Sequence, residues 1–252
     1  MCHPLGIREV PPGSPSDPST EDPSTSSTLD PSTDPSTQDP STQDPSTQGP
    51  SSGDTGGPCP VGMAWIDPFC IDRWEAHLVG ASPYEVPGLG AIAASDPGEV
   101  PQGYTSAVVA ADACAGAGKR LCTHPEWLRA CGGPTGTVYP YGDTYDPAAC
   151  NDARAVHPVV ELFGADATWG EAQLNDPRLN QLPDGLDPTG ANPGCVSAEG
   201  VYDLHGNLHE WIDDPDGTFV GGFYVDAVLN GPGCSYTTTA HDVGWHDYSP
   251  ML

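Results

Sequence analysis

Val201-Tyr202-Asp203-Leu204-His205-Gly206-Asn207-Leu208-His209-Glu210-Trp211 decides how the rest of this chain is read. Gly206-Asn207 is a turn dipeptide that breaks a helix, so the flanking segments 200–204 and 208–211 read as short strands. Asp203 and Glu210 stand on either side of that turn. A loop folded about Gly206 can bring backbone carbonyls inward while both carboxylates face one centre, which is the oxygen-rich chemistry of a hard cation. The competing reading has the two acids capping turns or pairing with arginine. His205 and His209 are four apart and would suit zinc on a helix, but the Gly-Asn turn between them and the lack of a His-Glu-x-x-His sequence argue against zinc.

Outward from this stretch, residues 58–252 are rich in tryptophan, tyrosine and short apolar runs, and are long enough to bury one sizeable core. Two segments read as helices. Residues 104–117 are alanine-rich with apolar residues at helical spacing, and Gly118 follows as a stop. Thr123-His124-Pro125-Glu126 reads as a helix start, with Thr123 as cap, proline in the first turn and Glu126 reaching back; this helix runs to about Cys131. Short strands are expected at 64–71, 138–140 and 218–225 as well. The 31 glycines and 30 prolines exclude a helical bundle or coiled coil. The reading is therefore two helices with short strands and long loops.

Residues 1–57 differ in kind. From Asp17 to Gln48 the chain repeats Asp-Pro-Ser-Thr units, clearest in the pentads beginning at Asp34, Asp39 and Asp44. Leu5, Ile7, Val10 and Leu29 are the only large aliphatic residues there, and no aromatic residue occurs. That is too little apolar surface to offset chain entropy, so 1–57 reads as a disordered, partly polyproline-like tether. Met1-Cys2 ahead of a polar tether is similar to the start of a mature bacterial lipoprotein, which makes Cys2 a lipid-anchor candidate; an incidental cysteine beside an initiator methionine is the alternative.

Thirty-five acids against seven bases give a formal charge of −28, with Lys119 the only lysine. Such a chain is a poor partner for nucleic acid or anionic lipid. No 18-residue apolar stretch is present, so no transmembrane helix is expected. Eight of the nine cysteines lie beyond residue 57, and an even number in a Gly/Pro-rich acidic domain points to disulfides and an oxidising, extracytoplasmic compartment, periplasmic or at the cell surface. Cys59–Cys70 is the local bridge favoured; buried free thiols are the alternative.

The motifs together resemble those of a known family. Phe69-Cys70-Ile71-Asp72-Arg73-Trp74-Glu75 is similar to its opening strand, and Gly118-Lys119-Arg120-Leu121-Cys122-Thr123-His124-Pro125-Glu126-Trp127 to its "GKRLPTEAEW" signature. Tyr139-Pro140-Tyr141-Gly142-Asp143 followed by Asn151 resembles "YPWG…N", residues 201–211 resemble "LYDMxGNVWEW", and Gly221-Gly222-Phe223 resembles "RGGS". These are motifs of the formylglycine-generating-enzyme, or sulfatase-modifying-factor, domain. The resemblance implies an irregular α+β fold related to C-type lectins. It also implies structural calcium, held at Asp203, Gly206, Leu208 and Glu210, with Asn151 matching a second calcium site.

Catalytic members of that family bind copper through two cysteines and oxidise a cysteine in a Cys-x-Pro-x-Arg peptide; soft thiolates suit Cu(I). Their pair follows "RGGS" closely. Here the aligned positions hold Asp226 and Gly231, and Cys234 is the one cysteine nearby, expected to be bridged or a structural thiol. Copper is accordingly doubtful and no catalytic residue is assigned. The expectation is an exported or surface-tethered, non-catalytic domain that binds a protein or carbohydrate ligand; the alternative is a formylglycine-generating-type oxidoreductase. Family members also finish with a "GFR" strand. This chain ends Asp247-Tyr248-Ser249-Pro250-Met251-Leu252, so a missing last strand and an unpaired edge are expected.

Overall fold

The computed structural model describes residues 58–251 and the backbone of Cys2–Pro4. In chain order the elements are β1 Cys2–Pro4, β2 Met63–Trp65, β3 Cys70–Asp72, β4 His77–Leu78, β5 Ala93–Ala94, α1 Ala107–Gly116, β6 Lys119–Leu121, α2 His124–Gly132, α3 Pro158–Phe163, α4 Glu171–Leu174, β7 His209–Trp211, β8 Phe219–Val220, β9 Thr237–Thr238 and β10 Pro250–Met251. Three residues of the stretch read as tether are thus a strand, paired antiparallel with β6. The rest of 1–57, the Cys2 side chain and Leu252 lie outside the described residues.

Three sequence expectations shorten for identifiable reasons. Segment 64–71 is not one strand but the hairpin β2–β3, because Asp67-Pro68 breaks the ladder and Ile66 N–H closes onto Phe69 O at 2.7 Å. The first helix starts at Ala107 rather than Tyr104: Tyr104 has φ +61°, and Ser106 caps the helix by accepting from Val109 N–H. The strand expected over 218–225 stops at Val220, because Gly221 and Gly222 take φ of +84° and +76°. Segments 138–140 and 200–204 contribute only the isolated bridges Tyr139↔Gly142 and Val196↔Tyr202. The start of α2 forms as expected: Glu126 accepts from Thr123 N–H and from Arg120.

The largest sheet has the order β10-β7-β8-β9. Its β10 runs parallel to β7, pairing Pro250 with His209 and Met251 with Glu210, and Met251 is completely buried. One core cluster packs Trp127, Ile66, Ile71, Leu204, Ile212 and Val220; a second packs the small face of α1 (Ala110, Ala113, Cys114) on Leu121, Trp211 and Phe219. A third gathers Tyr104, Leu179, Leu208, Tyr224, Tyr248 and Met251. The 203–210 hairpin sends Leu204 into the first and Leu208 into the third, which fixes its register.

The disulfides Cys59–Cys70, Cys131–Cys234 and Cys150–Cys195 hold the loops, and Cys114 is also disulfide-bonded. They fit an extracytoplasmic protein. Cys122 is free and buried, and burial pushes its thiol up to about 12, which makes it inert. No helix among the described residues is long and apolar enough to cross a membrane.

His157 supplies a pH-dependent contribution to this fold. Its Nδ1 accepts from Val159 N–H at the start of α3, and its Nε2 meets the Tyr248 hydroxyl at 2.8 Å. Burial, then the charge of Arg154, lowers its pKa from 6.5 to about 4. The unfolded chain takes up a proton at a higher pH than the folded one does. Stability present above pH 6.5 is therefore lost as pH falls toward 4. The expected loss is about 1–2 kcal/mol for this half-buried group after solvent screening. Urea melts at pH 7 and pH 4.5 should show it in the wild type and show it reduced in His157→Asn.

Candidate functional site

The 203–210 hairpin is tightly wound: Asp203, Gly206 and Asn207 have φ of +61°, +85° and +55°. Gly206 is required, because a Cβ there would collide with the Asn151 carbonyl. Asn207 tolerates the left-handed conformation and spends its amide on the neighbours. Its Nδ2 donates to Glu75 Oε2 (2.5 Å) and Asp187 O (3.1 Å). Its Oδ1 accepts from Asn151 Nδ2 and Asp187 N–H, both at 3.0 Å. Its backbone N–H donates to Asn151 O at 2.7 Å. One side chain thus joins the segment after β3, the 150s loop and the 180s loop.

Around this node lie three buried carboxylates. Glu75 and Glu210 are fully buried and Asp203 is 3% exposed. Glu75 Oε1 accepts from Leu208 N–H (3.2 Å), Asp203 Oδ2 from Gly190 N–H (2.7 Å) and Glu210 Oε2 from Trp127 Nε1–H (2.6 Å). Burial and then the negative charge of Asp203 raise Glu75 well above the usual carboxylate range. Burial and the charge of Glu210 push Asp203 up to about 7. Burial also raises Glu210, against the hydrogen bond from Trp127. The acids oppose one another's ionisation, as expected where like charges share a desolvated site.

All the sequence-predicted ligands therefore fall in one neighbourhood. Asp203 and Glu210 flank the turn, Gly206 donates its N–H to Gly221 O, and Leu208 donates to Glu75. Asn151, expected at a second calcium site, hydrogen-bonds to the same node: its Nδ2 donates to Gly185 O (2.7 Å) and Asn207 Oδ1 (3.0 Å). Among the described residues no three His, Cys, Asp or Glu side chains are grouped so as to hold a metal ion. A cation here would draw on the Asp203 and Glu210 carboxylates and on backbone oxygen. That donor set is oxygen only, the type a hard cation takes.

Glu75, Asn207, Asp187 and Trp127 were not expected as site residues. Glu75 was visible only as the end of a strand motif, and its partner Leu208 is 133 positions away. The two histidines share no centre. His205 Nε2 pairs with Asp152 at 2.9 Å, while His209 lies 3.3 Å from both Ser249 Oγ and the Tyr236 hydroxyl.

The loop after Gly221-Gly222 holds no thiol pair. Asp226 accepts from Val228 N–H, Leu229 N–H and the Tyr236 hydroxyl, so its carboxylate closes a turn. Gly231 sits at φ +118°, and a Cβ there would lie 2.6 Å from Ser235 O. Cys234 is bonded to Cys131 of α2.

Comparison with known proteins places this geometry. The profile of the Sulfatase-modifying factor enzyme 1-like domain matches residues 93–239, more than half of the chain. Among solved structures, PvdO from Pseudomonas aeruginosa is similar at 15% identity and a TM-score of 0.41, the match covering 63% of this chain and 62% of that one. The chain thus spans less than two thirds of that protein. With its hairpin, glycine pair and capped helix in the order the motifs require, this chain belongs to the sulfatase-modifying factor enzyme 1-like domain family.

Proposed function

We propose that this protein is an exported, periplasmic or surface-located family member that binds a protein or carbohydrate ligand, carries structural calcium at the 203–210 hairpin and does not oxidise cysteine. The observation that supports this is the Cys131–Cys234 disulfide, together with Asp226 and Gly231 at the positions of the family's cysteine pair. One carboxylate and a locked half-cystine do not make a two-coordinate thiolate site for Cu(I). The residues do not fit copper.

Copper(I) titration and an oxygen-dependent assay on a Cys-x-Pro-x-Arg peptide test this reading. The expected result is no tight cuprous binding and no aldehyde product; product formation overturns it and restores the oxidoreductase alternative. Calcium is expected to raise the melting temperature, because a ligand that binds only the folded state stabilises it by about 2.7 kcal/mol at a hundredfold excess over Kd. That corresponds to roughly 5–10 °C for a domain of this size. Asp203→Asn with Glu210→Gln should abolish the increment while keeping the side-chain shapes. An equal increment in the double variant removes these residues as ligands.

A further inference from the structure

One covalent bond of this chain still lacks a second end. The sequence holds nine cysteines. Six are taken by Cys59–Cys70, Cys131–Cys234 and Cys150–Cys195, and Cys122 is free. Cys114 is disulfide-bonded, and none of those seven is its partner. Cys2 is the cysteine that remains. Cys114 lies on the inner face of α1 with no exposed surface, so a second copy of the chain cannot reach it.

The backbone brings these two positions to one place. Ala117 and Gly118 alone link α1 to β6, so the helix folds back on the strand, and Cys114 shares a core cluster with Leu121. Strand β1 pairs antiparallel with β6, with Cys2 directly opposite Leu121. Residues directly opposite one another in an antiparallel pair occupy the same face of the ladder. Cys2 therefore stands on the face of β6 that α1 covers. We propose that Cys2 and Cys114 form a fourth disulfide, which fastens the N-terminal strand to α1. Closing it takes two electrons and two protons from the thiols; a disulfide-bearing oxidant accepts them by exchange through a mixed disulfide and leaves as a dithiol. The Cys2 sulfur cannot then carry a thioether-linked lipid, so this bond and a lipid anchor at Cys2 exclude each other. Residues 1–7 and 56–252 belong to one compact unit. The Asp-Pro-Ser-Thr repeat is thus a segment held at both ends, and a protease that cuts within it releases nothing until the bond is reduced. The inference goes beyond the reading above and depends on neither calcium nor the ligand.

The test uses the full chain purified from the cells that make it, with thiols alkylated before unfolding and trypsin digestion without reductant. Cleavage after Arg8, Arg73 and Lys119 isolates the two cysteines, Cys2 in peptide 1–8 and Cys114 in peptide 74–119. The expected product is these two peptides joined, lighter than their sum by two hydrogens and separating on reduction. Cys2→Ser is the second arm. Unfolded without reductant, the variant should show alkylatable thiols at both Cys114 and Cys122, where the wild type shows Cys122 alone. The wild-type peptide map is decisive even if the variant fails to fold. Recovery of peptide 1–8 with a free or lipid-bearing Cys2, of peptide 74–119 joined to any other peptide, or of the wild-type thiol pattern in Cys2→Ser overturns the proposal.

Discussion

Asn207→Ala is expected to be among the most damaging single substitutions in the domain, lowering stability by about 3–5 kcal/mol. The side chain is 2% exposed and makes four hydrogen bonds, to Glu75, Asn151 and both backbone groups of Asp187. Truncation strips a donor from the buried Glu75 carboxylate and leaves the Asn151 amide and the Asp187 peptide groups short of partners. Each such loss costs about 1–3 kcal/mol, and losses within one network do not simply add. Alanine also takes φ +55° less readily than asparagine does. For a domain of this size the melting temperature should fall by about 10 °C or more. Asn207→Asp separates the two causes: it tolerates the backbone but replaces the donors with a charge facing Glu75, and it should be at least as destabilising. Urea melts of both variants check this; a loss below about 1 kcal/mol for Asn207→Ala would show that the node does not organise the hairpin.

Opening Cys131–Cys234 is the second large effect expected. The bridge closes a loop with a sequence separation of 103, against 45 for Cys150–Cys195 and 11 for Cys59–Cys70. On the chain-entropy account these correspond to about 5, 4 and 3 kcal/mol of stabilisation. The first also ties α2 to the loop that leads into β9, and both its cysteines belong to the core cluster around Trp127. Replacing the pair with alanines should therefore lower the urea midpoint more than the corresponding change at Cys59–Cys70. The reverse ranking would mean that strain or residual structure in the unfolded chain outweighs loop closure here.

Much of this was legible in the sequence wherever the information is local. The Thr123–Glu126 start of α2, the turn at Gly206-Asn207 and the Cys59–Cys70 bridge each depend on residues a few positions apart, and each forms. Strand lengths were overread where a single proline or glycine overrides apolar patterning, as at Pro68 and Gly221. Strand β10 was not read from the sequence because two residues, Pro250 and Met251, carry no periodicity of their own; it is the pairing with β7 that defines them. Asp203 and Glu210 could be named as candidates because both stand in one motif, whereas Glu75 arrives from 133 positions before Leu208 and Trp127 from 83 before Glu210. Contacts at such separations leave no local trace. The link from Asn151 to Asn207 spans 56 positions and is likewise made only by folding.

This chain keeps the domain of its family, and Cys234, the one cysteine near the loop after Gly221-Gly222, is locked in a disulfide. Peptide mapping of the native protein, alkylated before any reduction, tests it most directly. The result predicted is a Cys131–Cys234 linked peptide, with Cys122 alkylated only after unfolding. Recovery of Cys234 as a free, rapidly alkylated thiol in the folded protein would contradict it.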